Sequence, residues 1–129
     1  HEMLAGIYDK KTQQVISTKD VLLKQMDQIR KLPDGNTTIG CIVTNVKLNK
    51  AQCTKLAGIC HDGYARSIQP VHTMSDGDTI FVLSTNEVEG MVDAVGVLAS
   101  EVISMCIKRA ILKAESAYGL KAYSDLKNR

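Results

Sequence analysis

The chain has no tryptophan and one phenylalanine, so any core it builds must be filled by aliphatic side chains. Its two prolines, Pro33 and Pro70, each stand at the end of a helical pattern. No run of five like charges occurs among its 16 basic and 14 acidic residues. Nucleic-acid or membrane-surface binding therefore has no electrostatic footprint. No apolar stretch approaches the length of a bilayer span. The four cysteines, Cys41, Cys53, Cys60 and Cys106, form no C-x-x-C pair. Their spacing from His61 and His72 fits no zinc pattern, so no metal and no cofactor is expected. Each cysteine lies in an apolar pattern, the arrangement of buried reduced thiols in a cytoplasmic protein. Internal repeats, low-complexity segments and linkers are also missing. What remains is 129 residues, 44% hydrophobic and 23% charged, an ordinary globular composition sufficient for one domain or a piece of one.

The patterning predicts an α/β domain. Residues 3–8 and 13–17 read as short strands around a polar connection. In "STKDVLLKQMDQIRKL", Ser17 and Asp20 resemble a capping box, Val21, Leu22, Met26 and Ile29 mark one face, and Pro33 ends the helix. Residues 38–46, "TIGCIVTNV", are β-branched and apolar, the signature of a strand. Asn49 and Gln52 cap a second helix, in which Cys53, Leu56, Ala57, Cys60, Tyr64 and Ile68 recur at helical spacing. "TIFVLS", 79–84, is a further strand, and these two strongest strands lack the polar alternation of a wet face, so both are expected to be buried on both sides. From Glu87 to about Lys113, Val88, Met91, Val95, Leu98, Val102, Cys106 and Ala110 predict a long helix whose stripe is core or subunit interface. A polar tail follows.

Two stretches carry chemistry. In "PDGNTTIGCIVTN" a Pro-Asp-Gly turn runs into Asn36, Thr37 and Thr38 at the entry of a strand. Amide hydrolysis needs a nucleophile and a nearby base, and an N-terminal threonine supplies both, its hydroxyl and its own α-amine. That amine has a reference pKa of roughly 7.7–8.0, so an appreciable fraction is neutral near neutral pH. Attack of the Thr37 hydroxyl on the Asn36 carbonyl, followed by hydrolysis of the ester, would create such a terminus. From pattern alone, an ordinary strand entry is the commoner reading of such a pair. In "SDGD", Asp76 and Asp78 flank Gly77. If extended, their carboxylates share a face, and glycine admits a close neighbour. Such a pair can orient an ammonium group or share a proton. An exposed Asp-Gly turn reads the same residues without function.

Taken together, "GNTTIGCIVTNVKLNKAQCTKLAGICHDGYARSIQPVHTMSDGDTIFVLST" resembles the DmpA-type L-aminopeptidase/D-esterase family, in particular the threonine-nucleophile branch with the endo-type nylon-oligomer hydrolases. The likeness is dense from residue 36 to about 86 and looser to the C-terminal "AESAYGL". It implies a precursor that cleaves itself between Asn36 and Thr37, with Thr37 as the catalytic nucleophile and Asp76 and Asp78 as the acidic pair supporting it. It also implies an α-β-β-α sandwich resembling other N-terminal-nucleophile hydrolases, assembly into homo-oligomers, and a small peptide or amide substrate. Residues 1–36 then form the end of the segment before the cleavage point and 37–129 the segment that begins with the nucleophile, together one incomplete domain.

One departure bears on activity. The family's upstream segment carries an Asn-Ala-x-Gly-Asp motif that helps to build the oxyanion site, together with a lysine in the threonine branch, and no such motif stands before Thr37 here. The chain thus resembles a C-terminal portion, and by itself it is expected to be inactive. His72 is a possible supporting residue beside the acidic pair. His61 is expected on the helix surface, Arg66 as an exposed cation, and Thr38 as a strand residue. Two functions follow from different classes: a self-processing amide hydrolase, or a non-catalytic shortened homologue acting as a structural or subunit-assembly module.

Overall fold

A computed structural model describes residues 2–26 and 37–127. The chain forms two compact units, one of His1–Lys31 with Cys106–Arg129 and the other of Leu32–Met105.

In the first unit, β1 (Ile7–Asp9) and β2 (Gln14–Ile16) pair antiparallel, with Tyr8 opposite Val15. Asp9 shapes the connection. Its carboxylate accepts from the Lys11 backbone N–H at 2.9 Å and the Thr12 hydroxyl at 2.8 Å, bonds that lower its pKa. Helix α1 (Thr18–Lys24) starts where predicted, with the Ser17 hydroxyl accepting from the Asp20 N–H at 3.2 Å. Its described part ends at a Gln25 cap and buries no residue, leaving Met26 exposed. Ile29 and Pro33 lie outside the described residues. The tail is not wholly irregular. It closes in α4 (Tyr123–Lys127), where Ser116 accepts from the Ala122 N–H at 2.7 Å and donates to Asp125.

The second unit holds β3 (Ile39–Val46) and β4 (Thr79–Val88), joined through α2 (Lys50–Ser67). A helical crossover returns the chain in the same direction, and the strands are parallel, in register from Ile39 opposite Thr79 to Thr44 opposite Ser84. The capping box at Asn49 and Gln52 is formed reciprocally, each bond 2.9 Å. Leu56, Cys60 and Tyr64, four residues apart, make one fully buried stripe of α2, which packs on β4. Helix α3 (Val92–Lys113) begins in this unit and approaches α2 closely. A side chain at Gly63 would run into the Ser100 carbonyl, which would lie 2.6 Å from its Cβ.

Four expectations are corrected. The strands are not buried on both faces. Ile42 and Ile80 are 9% and 8% exposed, whereas Ile39, Val43, Phe81 and Leu83 on the opposite side are 70%, 68%, 57% and 55% exposed. The apolar run is real, but among the described residues nothing covers its second face. The long helix starts at Val92, not Glu87. Val88 still belongs to the ladder, pairing with Val46 and accepting from the Lys47 N–H at 2.7 Å, and Glu89 is tied to Lys47 at 2.8 Å. The expected stripe of α3 is not core among the described residues. Gly96, Ala99, Ser100 and Ile103 are buried, while Met91, Leu98, Val102 and Cys106 are exposed. Finally, all four thiols are free, yet only Cys60 is buried. Cys53 is half-buried, and Cys41 lies on the uncovered sheet face. Among the described residues no helix is long and apolar enough to cross a membrane.

Candidate active site at the entry of strand β3

The site is assembled where the chain enters β3 and β4 side by side. Thr38 stands just before β3, and its carbonyl accepts from the Thr79 N–H at 2.9 Å, the bond that opens the parallel ladder. The same register brings the loop before β4 against Thr37. A Cβ added to Gly77 would lie 2.8 Å from the Thr37 hydroxyl oxygen. Only a residue without a side chain leaves room there, and the Thr37 hydroxyl therefore rests on the glycine between the two aspartates.

The aspartates are held differently. Asp76 is bonded within its own turn, its Oδ2 accepting from the Thr73 N–H at 2.7 Å and its N–H donating to the Thr73 carbonyl at 3.1 Å. Asp78 reaches across 40 residues to accept the Thr38 N–H on Oδ1 at 3.0 Å. Its side chain is only 7% exposed, and its Oδ2 lies 3.2 Å from His72 Nδ1. That approach is an ion-pair distance without the alignment of a hydrogen bond, and Oδ2 has no other partner among the described residues.

Tyr64, on α2, is fully buried and donates its hydroxyl to the Thr38 carbonyl at 3.4 Å. Burial pushes its pKa up first, the Asp78 charge second and Cys60 third, so the phenol stays a neutral donor. Burial alone raises the Cys60 thiol. His61 is not a free surface residue. It is half-buried, with its ring against both Tyr64 and His72 and its Nδ1 buried without a partner among the described residues.

Thr37, Asp76, Asp78 and His72 thus gather around one strand entry. Asn36 and the Pro33-Asp34-Gly35 turn lie outside the described residues. Arg66 is exposed in the last turn of α2, and Ser75 is exposed with its N–H on the Thr73 hydroxyl. Sequence reasoning read Tyr64 as core and passed over its hydroxyl. The signal was Gly40, at which a Cβ would lie 2.7 Å from that oxygen. A hollow of about 560 Å³ in the first unit has neither Thr37 nor either aspartate in its lining. Among the described residues no group of three His, Cys, Asp or Glu side chains could hold a metal ion.

The Thr37 hydroxyl thus lies against Gly77, the residue between the two aspartates in sequence, and Asp78 is bonded to the adjoining peptide. Comparison with known proteins gives the family. An uncharacterized aminopeptidase of Mycobacterium leprae is 37% identical over 106 residues, covering 70% of this chain and 29% of that protein. The corresponding protein of Mycobacterium bovis is 35% identical, covering 70% and 31%. The 6-aminohexanoate-oligomer endohydrolase of a Kocuria strain is 34% identical over 91 residues, covering 67% and 25%. The chain spans about three tenths or less of the length of these relatives. The model of peptidase family S58 matches residues 5–124, nearly the whole chain, and the protein belongs to that family.

Proposed function

We propose that this chain is the catalytic C-terminal portion of a self-processing amide or peptide hydrolase whose nucleophile is Thr37. The observation that carries the reading is the seat of the Thr37 hydroxyl on Gly77, with Asp78 bonded to the very next N–H. In the maturation step the Thr37 oxygen attacks the Asn36 carbonyl carbon. The C–N bond breaks, the nitrogen takes up the hydroxyl proton, and an ester forms. Water opens the ester and leaves Thr37 with a free α-amine. In turnover that amine accepts the hydroxyl proton as the oxygen attacks a substrate carbonyl. It then passes the proton to the leaving amine, and water hydrolyses the acyl-enzyme. Asp76 and Asp78 orient the ammonium form and set its affinity for the proton.

The uncovered sheet face supports a second part of the reading. Ile39, Val43, Phe81 and Leu83 would pack against a second sheet contributed by the upstream segment, completing an α-β-β-α sandwich. Burying each such side chain contributes roughly 1.5–3 kcal/mol. The same segment supplies oxyanion donors, so the isolated chain is inactive. Assembly of complete units into a homo-oligomer and a small peptide or amide substrate belong to this proposal. Four free thiols accord with the reducing cytoplasm.

The test is hydrolysis of amino-acid p-nitroanilides and linear 6-aminohexanoate oligomers by the complete protein. Activity that disappears in Thr37→Ala is the expected result, and activity unchanged by that substitution rejects the nucleophile. The alternative is a non-catalytic assembly module. A neighbouring reading frame that encodes such a segment, restoring activity on co-expression, decides for the enzyme.

A further inference from the structure

Three rings meet behind the strand entry, and the chemistry above leaves them without a task. His61 and Tyr64 stand three residues apart on one face of α2. His61 lies edge-on to Tyr64, centroids 5.4 Å apart, and edge-on to His72 at 4.8 Å. Tyr64 and His72 are nearly parallel, 21° apart in plane and 6.3 Å between centroids. Two members of this cluster terminate on the same residue. Tyr64 donates to the Thr38 carbonyl, and His72 approaches the carboxylate whose other oxygen holds the Thr38 N–H.

That N–H belongs to the peptide unit that also contains the Thr37 carbonyl. A planar peptide held at its N–H restrains the ψ angle of the residue before it, and so places the Thr37 Cα from which the hydroxyl projects onto Gly77. The cluster is built for the contact. His72 has φ +57°, a conformation that residues with side chains seldom adopt, and Gly40 clears the space that the Tyr64 hydroxyl occupies.

We propose that His72 and Tyr64 are positioning residues. His72 holds Asp78, Tyr64 holds the Thr38 carbonyl, and together they aim the Thr37 hydroxyl, with His61 as the wall that keeps both rings in place. The proposal rests on Thr37 being the nucleophile. Among the described residues His72 is the one side chain that approaches the nearly buried Asp78 Oδ2. Without it the carboxylate gains by turning toward water, and that turn releases the Thr38 N–H.

Self-cleavage needs no added substrate and gives the readout. Its rate is followed by intact mass in the complete protein and in Thr37→Ala, His72→Leu, His72→Asn and Tyr64→Phe. Melting temperatures are compared in the uncleavable Thr37→Ala background. His72→Leu is expected to slow cleavage by roughly 10- to 100-fold, the scale of a misaligned reacting group. His72→Asn, whose amide N–H can stand near the place of Nδ1, recovers most of the rate at an equal melting temperature. Tyr64→Phe slows cleavage by about tenfold, the scale of one lost orienting bond. A wild-type rate in His72→Leu, or no recovery in His72→Asn, overturns the positioning role while leaving the nucleophile intact. Should His72→Leu fail to fold, Tyr64→Phe decides by the same criterion, since it keeps every ring atom. Cleavage in Thr37→Ala, or none in the unmodified protein, rejects the nucleophile itself.

Discussion

The two faces of the β3–β4 sheet have much the same chemistry and opposite fates. On one side Ile42 and Ile80 are closed under the packing of this unit, and Tyr64 threads its hydroxyl past Gly40 to the strand entry. On the other side Ile39, Val43, Phe81 and Leu83 stand open. Apolar composition records what a strand is made to bury, whereas burial records what is present to cover it. The closed face positions the strand entry within this unit, and the open face is where the proposed upstream layer would pack.

The comparison can be broken most strongly from the closed side. Leu56→Ala removes a fully buried side chain of the helix packed on β4, and a stability loss of about 2–5 kcal/mol is expected in denaturant unfolding. Gly77→Ala probes the site rather than the core. The added Cβ meets the end of the Thr37 side chain, which can turn aside, so the fold survives. Self-cleavage should nevertheless fall by about 100-fold, because the hydroxyl is what moves. Smaller in effect is the alkaline limb of stability. The raised Tyr64 pKa means that its contribution is complete below the ordinary tyrosine range, near pH 10, and is lost as pH rises through the folded value. The slope is at most ~1.4 kcal/mol per pH unit, and Tyr64→Phe should flatten it in pH-dependent melting. Least of all, Phe81→Ser on the open face should change the stability of the isolated chain by no more than about 0.5 kcal/mol. The same substitution in the complete protein should cost roughly 1.5–3 kcal/mol, and equal effects in both would remove the case for a second layer.

Local signals were legible in the sequence because their physics is local. The Asn49–Gln52 box, the Ser17 cap, the crossover helix and both long strands follow from spacing and turn residues within a few positions. The start of α3 was not legible. Residues 87–88 fit a helical stripe, but the ladder to Val46 and Lys47, some 42 positions back, holds them extended. The uncovered face had the same character, since two-sided apolarity does not say whether its cover lies within the chain. At the candidate site, resemblance and chemistry together pointed to Thr37, Asp76 and Asp78. Neither showed that Asp78, rather than Asp76, is the acid bonded to the Thr38 N–H, or that Tyr64 donates to the carbonyl of the same residue. Those contacts join residues 26 and 40 positions apart, and only the parallel register brings them together.

The most direct test is the intact mass of the complete protein, with sequencing of any new N-terminus. The account predicts two fragments, the smaller beginning at Thr37, and a single uncut chain in Thr37→Ala. An unmodified protein that remains one chain under conditions where it is folded, or a cut at any other bond, would contradict it.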